Sequence, residues 1–209
     1  MAAPTINLSA RALRPLDPGY DAARAAWNLE VAHHPAVVVL AEGADDIRTA
    51  VRHARRAGLG VGVLATGHGT GRPCDGVLVN TSRLRSVEVD PDTRRARVGA
   101  GAVWADVLDA AAPYGLAGLM GSSPRVGVVG YTLGGGFGWL GRRYGLAAHS
   151  VTWAEVVLAD GEPITASPTE HPDLFWGLPG SAGNLGSSPS SSSPWSRSPP
   201  CTAATSTTR

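Results

Sequence analysis

The sequence predicts an α+β fold, and three observations carry that expectation. A β-branched run, an amphipathic helix pattern and a second β-branched run follow one another between residues 36 and 64. After them, short extended segments come in pairs joined by turn residues instead of helices. With 209 residues and 43% hydrophobic composition, the chain can also bury a core of ordinary size.

Residues 1–31 are rich in Ala and Arg and read as a lead-in, with a short helix expected at Asp21 to Trp27 behind Pro15-Leu16-Asp17-Pro18-Gly19. Ala36-Val37-Val38-Val39-Leu40 is short, β-branched and bounded by Pro35 and Gly43, which predicts a buried strand. From Asp45 to Arg56, Ile47, Ala50, Val51 and Ala54 share one helical face, acids open the segment, arginines close it, and Gly58 stops it. Val61-Gly62-Val63-Leu64 returns as a second buried strand, so the three elements form a crossover with parallel strands.

Val77-Leu78-Val79, Val87-Glu88-Val89 and Ala96-Arg97-Val98 are the next extended segments, the last two paired through the turn Asp90-Pro91-Asp92-Thr93. A second helix carries Trp104, Val107, Leu108 and Ala111 and stops by Pro113 and Gly115. A glycine-rich stretch, Gly127 to Gly145, precedes a strand pair, Trp153 to Leu158 and Pro163 to Ala166, turned at Asp160-Gly161. From Ser187 the chain is almost entirely Ser, Pro and Thr. Such composition does not offset its ordering entropy by burial, so 187–209 is expected to be disordered and 32–186 to be the domain.

Composition narrows the function. A net charge of +1 without a Lys or Arg run argues against nucleic acid as a partner. No apolar stretch reaches the roughly 18 residues that span a bilayer, so no membrane is expected. Met1 to Pro15 lacks the features of an export signal, which points to the cytoplasm. Cys74 and Cys201 have neither disulfide nor metal-site spacing, and no metal is expected.

Two glycine clusters carry the candidate chemistry. Ala65-Thr66-Gly67-His68-Gly69-Thr70-Gly71 follows a strand directly, and its glycines let backbone N–H groups close on an anion. Each N–H to a charged phosphate oxygen contributes roughly 1.5–3 kcal/mol, so such a loop holds a diphosphate without Lys or Arg. His68, flanked by glycines, is sterically free, and a neutral imidazole is a nucleophile. His33, His34, His53, His149 and His171 read as surface residues without a role. The second cluster runs from Gly127 through Gly130, Tyr131, Gly134, Gly135 and Gly136 to Gly138 and suits a wall packed on a flat ring. Gly60-Val61-Gly62-Val63-Leu64-Ala65 has the spacing of a dinucleotide fingerprint. It follows a helix and runs into a strand, the reverse of what a Rossmann nicotinamide site needs.

Between Pro35 and Gly186 the chain resembles the FAD-linked oxidases with a vanillyl-alcohol-oxidase (PCMH-type) FAD domain, berberine-bridge-enzyme-like branch. The resemblance rests on Thr66-Gly67-His68-Gly69, Asp75-Gly76-Val77, Val89-Asp90-Pro91, Gly99-Ala100-Gly101, Leu133-Gly134-Gly135-Gly136-Phe137-Gly138, Arg143-Tyr144-Gly145-Leu146, Ala159-Asp160-Gly161 and Pro172-Asp173-Leu174-Phe175-Trp176. It implies two α/β subdomains gripping FAD, and an oxidase that takes a hydride from an alcohol, sugar or similar small molecule and passes electrons to molecular oxygen.

By the same resemblance, His68 bonds covalently to the flavin 8α-methyl, which tautomerises to an electrophile that the ring nitrogen attacks. Thr66, Gly67, Gly69, Thr70, Gly71, Ser122, Ser123, Val126, Gly127, Gly130, Tyr131, Gly134, Gly135, Gly136, Gly138 and Val157 complete the expected cofactor contacts. Ser123 stands where some members carry a second flavin-linking cysteine, so attachment is expected to be single. Val126 takes the place of a residue that governs oxygen access. No catalytic base is assigned. Leu178-Pro179-Gly180 departs from the family's Leu-Arg and glycine run. The Ser/Pro tail stands where relatives continue into a substrate domain, so a truncated or frame-shifted product is expected, and a non-catalytic FAD-binding module is the alternative function.

Overall fold

The computed structural model describes residues 12–69 and 72–181, together with the backbone of 187–194. Two sheets organise the chain. The first contains β1 (Ala12–Leu13), β2 (Val37–Leu40), β3 (Val61–Leu64) and β4 (Val77–Asn80) in the order β1-β2-β4-β3. β1 is antiparallel to β2, while β2 and β3 both run parallel to β4, which lies between them. The crossover through α2 (Ala44–Ala57) is therefore parallel, as expected, but skips a strand.

Burial follows the two-residue period of a strand. Val37, Val39, Val77 and Val79 join the α2 residues Ile47, Ala50, Val51 and Ala54 in one core, while Val38 and Leu78 face the opposite side. There they meet Tyr20 and Ala23 of α1 (Tyr20–Arg24). Coverage of both faces is why β2 and β4 read as unbroken apolar runs. β3 departs from the expectation of a buried strand. At the sheet edge only Leu64 is buried, and Val61 and Val63 are 40% and 48% exposed.

The second sheet has the order β5-β6-β9-β7-β8, built from β5 (Val87–Asp90), β6 (Arg95–Gly99), β7 (Trp153–Val157), β8 (Pro163–Ala166) and β9 (Ser187–Pro194). The hairpins β5–β6 and β7–β8 are antiparallel, as their turns predict. α3 (Trp104–Ala111) packs Trp104, Val107 and Ala111 against Ala96 and Val98. Ala100 and Val157 enter the core of the first sheet, so the two layers share apolar contacts.

The expectation of disorder for 187–209 is corrected over Ser187–Pro194, which fills the slot between β6 and β7 and pairs antiparallel with both. Backbone groups make those bonds, so a serine-rich strand forms where two neighbours offer open ladders. The register moves from Glu155↔Ser190 to Val157↔Ser187, a bulge that absorbs Pro189, a residue without an N–H. Residues 195–209, the rest of that expectation, lie outside the described residues.

Within the glycine-rich stretch the chain forms α4 (Val128–Leu133) and α5 (Gly141–Tyr144), and α6 (Pro172–Gly177) follows β8. None of the three was marked by sequence periodicity, because each is under two turns long. Two histidines read as surface residues are buried: His53 on α2, and His33, whose Nδ1 accepts the Cys74 N–H at 3.1 Å. Among the described residues no helix is long and apolar enough to cross a membrane.

Candidate functional site

The end of β3 delivers the first glycine cluster. Leu64 is the last strand residue, and Gly67 turns with φ +71, a conformation in which side chains are strained. A Cβ on Gly67 would stand 2.6 Å from the Ala26 Cβ, so only glycine lets the lead-in lie against the loop. That contact is reinforced by two backbone bonds: Trp27 donates to the Thr66 carbonyl and Asn28 to that of Gly67, both at 3.0 Å. α1 was expected to reach Trp27 and instead ends at Arg24. Ala25 is extended, which frees 26–28 to pair with the loop.

His68 is held on two sides. Its Nδ1 lies 2.8 Å from Thr66 Oγ1, and its ring stacks on Trp27 with centroids 4.5 Å apart and planes at 15°. Burial pushes its pKa below the ordinary histidine value, keeping the imidazole neutral and nucleophilic near neutral pH. Thr66 Oγ1 also accepts the Gly127 N–H at 3.3 Å, joining the first glycine cluster to the second. Gly127 is buried there. A Cβ on it would approach Thr66 Oγ1 to 3.4 Å and the Ala65 Cβ to 3.7 Å.

The approach to Gly127 is fixed from the α3 side. Trp104 donates to the Val126 carbonyl, Ala105 to that of Pro124, and Val128 to that of Ala102. Ser123 Oγ accepts the Arg125 N–H, which shapes the turn, and Ser122 is exposed beside it. Thr66, Gly67, His68, Ser123, Val126 and Gly127 thus form one connected region. Thr70 and Gly71 lie outside the described residues.

The glycines of the second cluster do two different jobs. Gly136 and Gly138 make room for the protein's own groups: a Cβ on Gly136 would meet Ala147 at 2.6 Å and the Tyr131 ring at 2.7 Å. One on Gly138 would reach the Met120 carbonyl at 2.0 Å. The flat ring they pack on is therefore that of Tyr131, which stands edge-on to the buried Trp104. Gly134 caps α4, whereas Gly130 and Gly135, like Gly69 in the first cluster, face open space. Val157 has its side chain inside the core, 1% exposed, and only its backbone is left to meet a ligand.

These features fit a dinucleotide. Gly69, Gly130 and Gly135 open to space, a neutral imidazole next to the first of them in the chain, and a buried Tyr131 hydroxyl without a hydrogen-bond partner among the described residues leave room and polar capacity for a ligand. Trp27 was missed in the sequence because the contact that matters is 41 positions away. The one available signal was a tryptophan standing in an Ala- and Arg-rich segment.

Two sheets, the first with a glycine loop at the end of a parallel strand, define an α+β domain. A family model described as FAD binding domain matches residues 35–167, and the chain belongs to that family. It is 33% identical over 184 residues to (R)-6-hydroxynicotine oxidase of Paenarthrobacter nicotinovorans, covering 87% of this chain and 40% of that protein. The crystal structure of 6-hydroxy-D-nicotine oxidase from Arthrobacter nicotinovorans superposes with a TM-score of 0.86 at 31% identity, covering 93% of this chain and 44% of that one. Glucooligosaccharide oxidase of Acremonium strictum, described with a 6-S-cysteinyl, 8α-N1-histidyl FAD, superposes with a TM-score of 0.81 at 31% identity, covering 88% and 40%. The chain thus spans about two fifths of the length of these relatives.

Proposed function

We propose that this chain is the FAD-binding part of a flavin-dependent oxidase that takes a hydride from an alcohol, sugar or similar carbon centre of a small molecule and passes the electrons to molecular oxygen. The observation that carries the reading is His68: a neutral imidazole held by a neighbouring hydroxyl and an aromatic face, at the glycine loop of an FAD-binding family. Bound FAD supplies the two-electron acceptor. The chain's own part is to hold and orient it. Backbone N–H groups of the loop around Gly67 and Gly69 would hold the diphosphate, and Gly130 and Gly135 would leave space for the cofactor.

Thr66 Oγ1, 2.8 Å from His68 Nδ1, holds the imidazole in place, and a ring nitrogen of His68 would bond the flavin 8α carbon. With Ser123 at the alternative attachment position, a serine cannot supply a thioether and the link is single. Val126, half-buried where its carbonyl holds Trp104, takes the oxygen-access position. A cytoplasmic location belongs to the same reading, and cell fractionation tests it.

An absorption spectrum of the purified chain, repeated on the acid-precipitated pellet, tests attachment. Yellow colour in the pellet, lost in His68→Ala, is expected; colour released wholly to the supernatant would remove the His68 bond. Aerobic re-oxidation after substrate reduction tests the oxidase reading.

A further inference from the structure

We propose that Trp27 is a positioning residue for the flavin attachment at His68, an aromatic clamp that the lead-in supplies to the glycine loop. The inference rests on the reading of His68 given above. Its evidence is geometric. The indole lies almost parallel to the imidazole, at 15° and 4.5 Å, and covers one face of a ring whose glycine neighbours give it no support of their own.

The clamp is rigid because its backbone is fixed at three points. Trp27 and Asn28 donate to the Thr66 and Gly67 carbonyls, and Ala26 fills the space where Gly67 has no Cβ. Trp27 is nevertheless 67% exposed, so the fold gains little from burying it. An exposed indole stacked on the one nucleophilic side chain of the loop is explained by holding that side chain. Thr66 fixes the ring in its plane through Nδ1, and Trp27 stops it tilting out of that plane. Together they hold the imidazole in one orientation toward the flavin.

The test uses the full chain purified without flavin, as wild type, Trp27→Ala and Trp27→Phe. On addition of FAD, acid-stable flavin fluorescence is followed with time, and non-covalent affinity is measured separately. Trp27→Ala is expected to slow attachment at least tenfold while melting temperature and FAD affinity hold, and Trp27→Phe to recover most of the rate. A second readout needs no flavin: the His68 ring, titrated by NMR, is expected to move toward the ordinary histidine value in Trp27→Ala and to react faster with diethyl pyrocarbonate. Unchanged titration and reactivity in Trp27→Ala overturn the proposal, as does an unchanged attachment rate. A wild type that binds FAD without acid-stable attachment, yet shows the His68 changes in Trp27→Ala, overturns the covalent reading and leaves the clamp standing.

Discussion

Glycines that look alike in sequence separate at the residue scale into those enclosed by protein and those facing open space. Gly67 is enclosed, so Gly67→Ala combines a left-handed backbone, costing about 1–2 kcal/mol, with a clash against Ala26. It is expected to lower the melting temperature and abolish flavin retention, both measurable on one purified sample. Gly130 behaves oppositely. It sits inside α4 with nothing within 4 Å of a built Cβ, and alanine in a helix interior is favoured over glycine by roughly 0.5–1 kcal/mol. Gly130→Ala is therefore expected to raise the melting temperature of the flavin-free chain while weakening FAD binding in a fluorescence titration. Unchanged FAD affinity would remove Gly130 from the cofactor site.

At the element scale, β9 decides the second sheet. Between β6 and β7 it satisfies ladder groups that would otherwise leave two edges open inside one sheet. Ser190 pairs with Gly99 on one side and Glu155 on the other, the last pair before the bulge at Pro189. Ser190→Pro removes a donor where both neighbours are in register and is expected to lower the melting temperature by several degrees and increase aggregation. A chain ending at residue 186 is expected to do the same, and an unchanged melt for both variants would show that the strand contributes no stability. Sequence reasoning failed here because it priced only side chains. The slot is made by β6 and β7, segments distant from each other and from β9 along the chain, and is invisible to composition. The parallel strands β2 and β4 were legible because burial on both faces writes itself as an apolar run, while the exposed outer face of β3 follows from its edge position alone.

On the scale of the whole molecule, three histidines tie stability to pH. His33, His53 and His68 are each held below the ordinary histidine value, and burial is the first cause in every case. The unfolded chain then takes up protons before the folded one as pH falls. The stability they contribute is complete above about pH 6.5 and is lost as pH falls through the lowered values. The melting temperature is expected to drop from about pH 7.5 to about pH 5, above the range where ordinary carboxylates titrate. His33 should dominate, since protonating Nδ1 also breaks its bond from the Cys74 N–H. A shallower pH profile in His33→Gln checks this, and an unchanged one would assign the effect elsewhere.

The sequence by itself determined the order of elements, the two hairpins, the parallel crossover and the glycine loop with His68 at its centre, because periodicity, turn chemistry and glycine spacing are local properties. The tertiary structure alone decided how that histidine is used. Its stacking partner Trp27, and Gly127, which donates to the Thr66 hydroxyl beside it, come from opposite directions along the chain and meet only once the lead-in, the first sheet and the start of α4 have packed. It also decided which glycines face a ligand and which face Tyr131, and that a serine strand closes the second sheet, since close approach and open backbone ladders are consequences of packing.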